Sequence, residues 1–94
     1  MIVAQAAKAD LKKIWRFSAE RWDPDQADTY STAIDAAMRE AAAGKLHFRE
    51  MPFVSPSLFK ARAMKHFLYF REITGGIRIV RVLHERMDET LHLL

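Results

Sequence analysis

Between Lys60 and Arg81 the chain carries six cations, Lys60, Arg62, Lys65, Arg71, Arg78 and Arg81, against one acid, Glu72. A one-signed cluster of this density sets up a positive field suited to an acidic protein segment or a phosphate backbone. Lys60, Arg62, Arg71, Arg78 and Arg81 are therefore the candidate docking residues, weighed against the ordinary fate of exposed Lys and Arg, a solvated sheet face. His66 and His84 belong to the same region, and imidazole titrates near neutrality, so either could act as acid or base. His84, Asp88 and His92 are spaced by four and on a helix would line one face. That set could bind zinc, but His84 is expected to end a strand, which breaks the face, and no metal site is assigned. No Gly-rich phosphate loop, nucleophile elbow or paired-carboxylate motif occurs, and Gly75-Gly76 reads as a hairpin turn. No catalytic residue and no cofactor is assigned.

The elements that must position these residues belong to one domain, residues 1–94, because 94 residues leave no room for a second core. Half the residues are apolar, so a core is within reach, though the stability margin of so small a domain is thin. A partner that binds only the folded state would add to it. The chain has no cysteine, which excludes a disulfide framework and thiolate metal sites and fits a reducing cytoplasm. No stretch is long and apolar enough to span a bilayer, and the N-terminus is not expected to act as a signal peptide. The net charge is +3 and the pI about 9.5, short of a protein that coats nucleic acid. Acids are frequent from Asp10 to Glu50, so the positive field falls in the C-terminal half.

Helical spacing of Ala7, Leu11, Ile14, Ser18 and Trp22 predicts a first helix over 5–21, with those residues on one face. Trp15 lies off that face; its exposed edge could anchor a partner helix, since aromatics often carry interface energy. Asp23-Pro24-Asp25-Gln26 predicts a capped second helix: Asp23 as N-cap, Pro24 where no N–H is needed, Gln26 three residues on as in a capping box. Its inner face is Ala27, Tyr30, Ile34, Ala37, Met38 and Ala41, and Gly44 supplies a left-handed stop. The short link between the helices requires an antiparallel hairpin. Residues 45–57, with Pro52 and Pro56, read as a loop that packs down through Phe48, Phe53 and Val54.

From Phe59 onward the pattern is that of strands. Residues 59–64 read as one strand, 66–73 alternate, Thr74-Gly75-Gly76 turns, and 77–84 is rich in β-branched residues. No Gly or Asn stands near Met64-Lys65 to make the turn required there. Both faces of these strands hold apolar residues. The helical hairpin covers one, so the loop or a partner should cover part of the other. Met1 to Ala4 could add a short edge strand, and Met87 to Leu94 a last helical turn or a flexible end. Leu91, Leu93 and Leu94 suggest docking of that end on the core or a partner. The fold class is α+β: an N-terminal antiparallel helical hairpin on a small, mainly antiparallel twisted sheet, in the order β-α-α-β-β-β.

Two stretches carry a family resemblance. Ala7-x-x-Asp10-Leu11-x-x-Ile14 with Trp22-x-x-x-Gln26-Ala27-x-x-Tyr30 resembles the opening of ParE-type toxins of the ParE/RelE toxin–antitoxin superfamily. Lys65-His66-x-x-x-Phe70-Arg71 and Arg78-Ile79-Val80-Arg81-Val82-Leu83-His84-x-x-Met87-Asp88 resemble their closing strands. The resemblance implies a bacterial toxin of plasmid or genome maintenance, neutralised by a ParD-like antitoxin and directed at DNA gyrase. It implies contact with DNA only through antitoxin or gyrase. Antitoxin or target contacts are then expected at Trp15, Lys60, Arg62, Arg71, Arg78, Arg81, His84 and Leu91. Two departures stand out: Ala4 and Gln5 replace the usual Ser or Thr cap of the first helix, and the usual Gly before the third strand is missing around Ala63 to Lys65. RelE-type relatives cut messenger RNA, which needs groups to activate a ribose hydroxyl, stabilise phosphorane charge and protonate the leaving oxygen. The tail 85–94 lacks an aromatic to stack on a base, which favours the gyrase reading. The alternatives are a RelE-like endoribonuclease and an inactive relative that only binds antitoxin; fold likeness does not choose among them.

Overall fold

The computed structural model describes residues 1–93; the expectation for Leu94 lies outside them. Strand β1 (Ile2–Val3) leads into helix α1 (Gln5–Arg21) and helix α2 (Pro24–Ala42). Strands β2 (Phe48–Glu50), β3 (Phe59–Ala63), β4 (His66–Ile73) and β5 (Gly76–His84) follow, then a short helix α3 (Glu89–Leu93). The sheet order is β1-β5-β4-β3-β2, antiparallel throughout except for the parallel pair β1–β5.

The helical hairpin forms where local chemistry places it. Asp23 accepts a 2.7 Å hydrogen bond from the Gln26 amide, and Pro24 occupies the first turn of α2. At the other end the Gly44 amide donates to Ala41 and the Lys45 amide to Glu40, with Gly44 at φ +72°, a Schellman stop. Helix α1 has no side-chain cap. Its start is fixed instead by the sheet: the Ala4 amide donates to the Ile79 carbonyl at 2.9 Å, and the Ala4 carbonyl accepts from Lys8.

One core lies between the hairpin and the sheet, built from Ala7, Ile34, Met38, Ala41, Leu68, Phe70, Ile77, Ile79 and Val82 among others. Trp22 departs from the expected inner face. The backbone leaves the helical path there, and its side chain is 60% exposed. The opposite sheet face has its own cluster of Leu58, Tyr69 and Leu83, packed by Met51, Val54, Phe67, Val80 and Leu93. The loop after β2 and helix α3 therefore cover the second apolar face from within the chain.

One sequence expectation needs correction. Residues 45–57 are not all loop, because Phe48–Glu50 pair with β3 as an edge strand. Aromatic contact holds that strand in place: Phe48 meets Phe59 and Phe70 edge to face, with centroids 5.3 and 5.8 Å apart. The turn between β3 and β4 is made without Gly, Met64 itself adopting φ +56°. A left-handed conformation costs a side-chain-bearing residue ~1–2 kcal/mol, and the hydrogen-bonded strands on either side impose it. Further along, β5 holds an irregularity where Tyr69 pairs with Arg81 but Phe70 with Ile79, leaving Val80 unmatched, as in a β-bulge.

Candidate functional site

The basic strands do not present an open positive surface. Arg81 turns off the edge of β5 beyond the end of β1 and meets Asp10 of α1. Its Nε donates to Asp10 Oδ2 at 2.7 Å and its Nη2 to Oδ1 at 2.9 Å. The same carboxylate accepts the Val82 amide at 3.0 Å, which satisfies a strand-edge donor. Asp10 is buried, at 7% exposure, inside the apolar stripe of α1. The Asp10 hydrogen bonds raise the Arg81 guanidinium above its usual basicity, burial opposes them, and the carboxylate charge adds to the rise. A third bond, from Nη1 to the His92 carbonyl, ties Arg81 to α3.

Lys60 is likewise committed. It is buried, ion-paired with Glu89 of α3, and its ammonium lies 4.0 Å from the Phe67 ring centroid. Glu89 also accepts the Tyr69 hydroxyl at 2.8 Å. Burial pushes the Glu89 carboxyl up, but the bonds from Lys60 and Tyr69, aided by the charges of Lys60 and Arg49, hold it below its ordinary value. Burial first, then the Glu89 bond and charge, raise the Tyr69 phenol. Arg71 clamps the loop after β2, donating to the Pro56 carbonyl at 2.6 Å and to Ser55 Oγ at 2.7 Å. Arg62 is exposed, sits over the Phe67 ring, donates to the Met64 carbonyl and reaches Glu85 at 3.4 Å. Arg78 is exposed and, among the described residues, forms no ion pair. Arg71, Arg78 and Arg81 line one shallow depression with Val80, His92 and Leu93, so the structure brings these three of the expected residues together.

The other expected residues scatter. Trp15 is 38% exposed and donates its indole N–H to Asp28 at 2.8 Å, a strut between the two helices. Leu91 is 78% exposed. His84 accepts the Arg86 amide at Nδ1, 3.1 Å away, and meets His66 edge to face at 5.1 Å. His66 Nδ1 and the Tyr30 hydroxyl share a hydrogen bond at 2.7 Å. Burial, then electrostatic repulsion from His84, lower the His66 imidazole to about 4, opposed by the charge of Glu85, so it is neutral at pH 7. Among the described residues no group of three His, Cys, Asp or Glu side chains is arranged to hold a metal ion.

A second concavity, of about 650 Å³, opens between α1 and the end of β5. Lys13, Ile14, Phe17 and Arg21 of α1 form one wall, and Val82, His84, Arg86 and Met87 the other. Phe17 is 61% and Met87 47% exposed. The sequence reading did not pick out this groove, and it named Asp10 only within the family motif, not as a site residue. The signal for Asp10 was a carboxylate placed within the helical stripe Ala7-Asp10-Leu11-Ile14.

Comparison with known proteins decides the family. A family model described as the ParE toxin of the type II toxin–antitoxin system, parDE, matches residues 1–89. The chain belongs to the ParE toxin family. Toxin ParE1 of Mycobacterium tuberculosis is 38% identical over 88 residues, 93% of this chain and 90% of the relative. Toxin ParE of Escherichia coli is 32% identical over 88 residues, 93% of this chain and 85% of the relative. The fold is that of a solved chain titled "Chromosomal ParDE TA system from P. aeruginosa", with TM-score 0.75 and 19% identity, covering 89% of this chain and 95% of that one. Within this family fold, the bidentate Asp10–Arg81 bond joins two segments singled out from the sequence, the α1 stripe and the closing strand.

Proposed function

We propose that this chain is the toxin of a type II pair that a ParD-like antitoxin neutralises by tight binding, and that it stops growth by inhibiting DNA gyrase rather than by catalysis. One observation carries the non-catalytic part: the groups that RNA cleavage would recruit are already spent on the fold. Arg81 is locked to Asp10, Lys60 is buried beneath Glu89, and His66 is hydrogen-bonded to the Tyr30 hydroxyl. A guanidinium that has to surrender two carboxylate bonds before it meets a phosphorane is poorly prepared for transition-state stabilisation, which depends on donors preorganised for the developing charge. On this reading the toxin works in the cytoplasm as a protein ligand and reaches DNA only through gyrase or the antitoxin.

The test is expression of the chain with and without the antitoxin from the neighbouring reading frame, together with a supercoiling assay on purified gyrase. Growth arrest by the lone chain, relief by the antitoxin and loss of supercoiling are expected. Gyrase that supercoils normally at saturating toxin refutes the target. Cleaved transcripts during arrest would instead favour RNA cleavage through His66 and His84, and absence of arrest an inactive relative that only binds antitoxin.

A further inference from the structure

Cations without an ion-pair partner gather around exposed apolar side chains in the groove between α1 and the end of β5. Lys13, Phe17 and Arg21 follow one another four residues apart along one row of α1, the spacing that places side chains on a single helix face. Arg86 and Met87 face them across the groove. Among the described residues Lys13, Arg21 and Arg86 form no ion pair; Arg21 rests over the Trp22 ring at 5.6 Å, a contact that leaves its charge unneutralised. Asp10, the carboxylate that lines the groove, is held by Arg81, and Glu85 beside Arg86 reaches Arg62. Two large apolar side chains, Phe17 at 61% and Met87 at 47% exposure, thus meet water flanked by three cations that form no ion pair.

We infer that this groove seats a segment of the antitoxin bearing large apolar side chains flanked by carboxylates; the inference rests on the proposed neutralisation by an antitoxin. The apolar side chains would cover Phe17, Ile14 and Met87, and the carboxylates would meet Lys13, Arg21 and Arg86. Two other occupants fit less well. The chain's own C-terminal helix is engaged on the opposite sheet face, through Glu89 and Leu93. A second copy would bring a net charge of +3 toward a cationic groove, a repulsive encounter.

The experiment measures affinity of the full-length chain for the antitoxin from the neighbouring reading frame. The wild type is compared with Arg21→Glu/Arg86→Glu, with Phe17→Ala, and with a control, Lys12→Glu/Lys45→Glu. Lys12 and Lys45 are exposed and do not line the groove. Both double variants lower the net charge by the same four, so loss of long-range attraction is common to them and only contact in the groove separates them. We expect the groove reversal to weaken binding roughly 100-fold and Phe17→Ala roughly tenfold. The control should weaken it less than about fivefold. Unchanged melting temperatures would show that the fold is intact, as expected for exposed residues. Equal weakening by both double variants, or none by the groove pair, overturns the inference while leaving the antitoxin reading in place. A wild-type chain that binds no antitoxin overturns the reading and the inference together. Self-association of the wild type that Phe17→Ala abolishes, with antitoxin affinity unchanged, would assign the groove to a second copy instead.

Discussion

Replacing Asp10 with Ala tests whether Arg81 belongs to the fold. The carboxylate is 9% exposed, accepts two bonds from Arg81 and one from the Val82 amide, and joins α1 to the last strand across 71 residues of chain. Removing it leaves a guanidinium without its counter-charge and a strand amide without its acceptor. Breaking a buried pair by deleting one partner costs ~3–5 kcal/mol. Arg81 keeps 23% of its side chain in contact with solvent and retains the His92 carbonyl, so the expected loss is nearer ~2–3 kcal/mol. A domain of this size shifts by ~4–8 °C in Tm per kcal/mol, so the melting midpoint should fall by ~10–20 °C. Asp10→Asn can still accept the Val82 amide and should lose about half as much. A double-mutant cycle with Arg81→Ala should return a coupling of ~2 kcal/mol, read from urea unfolding of the four proteins. A loss below ~1 kcal/mol for Asp10→Ala, or a coupling near zero, would refute the reasoning. Arg81 would then be available for binding, and Arg81→Ala would change partner affinity at constant stability.

Two further outcomes follow from local geometry. The folded chain resists protonation of His66, held at about 4, while the unfolded chain takes up that proton near 6.5. Stability should therefore be level above about pH 6.5 and decline as pH falls toward 4, by ~1–2 kcal/mol once the solvent-exposed part of the ring is allowed for. Urea midpoints at pH 7 and pH 4.5 should converge in His66→Gln, and an unchanged difference would assign the pH dependence to other groups. Met64→Gly should raise stability by ~0.5–1 kcal/mol, because Gly adopts φ +56° without the Cβ clash and Met64, at 39% exposure, gives up little packing. A lowered melting midpoint would mean that the Met64 contacts outweigh the strain.

The parts of the fold that could be read from the chain are those whose cause is local. Asp23, Pro24 and Gly44 each fix a backbone state within a few residues, and α2 begins and stops where they stand. The parts that could not be read depend on distant partners. β2 exists because Phe48 meets Phe59 and Phe70, which no short window relates. Helix α1 lacks a capping side chain, and what fixes its start is the distant Ile79 carbonyl that holds the Ala4 amide. Met64 turns the chain although nothing in its side chain favours the turn.

The same distinction governs charge. Counting one-signed residues from Lys60 to Arg81 measures the charge that a segment carries, whereas a partner responds to the charge that the fold leaves uncompensated. The anions that neutralise this segment arrive from outside it: Asp10 comes from the first helix to Arg81, and Glu89 from the last to Lys60. Each such pair converts a candidate docking residue into a structural one, and a cation in a two-pronged buried bond has little attraction left for a partner. The cations left free in the groove, Lys13, Arg21 and Arg86, come from opposite ends of the chain and make no cluster in sequence. They become a surface only because β1 stops at Val3, leaving the later part of β5 bordered by α1 rather than by another strand. The two-residue length of β1 thus determines where a partner can be received.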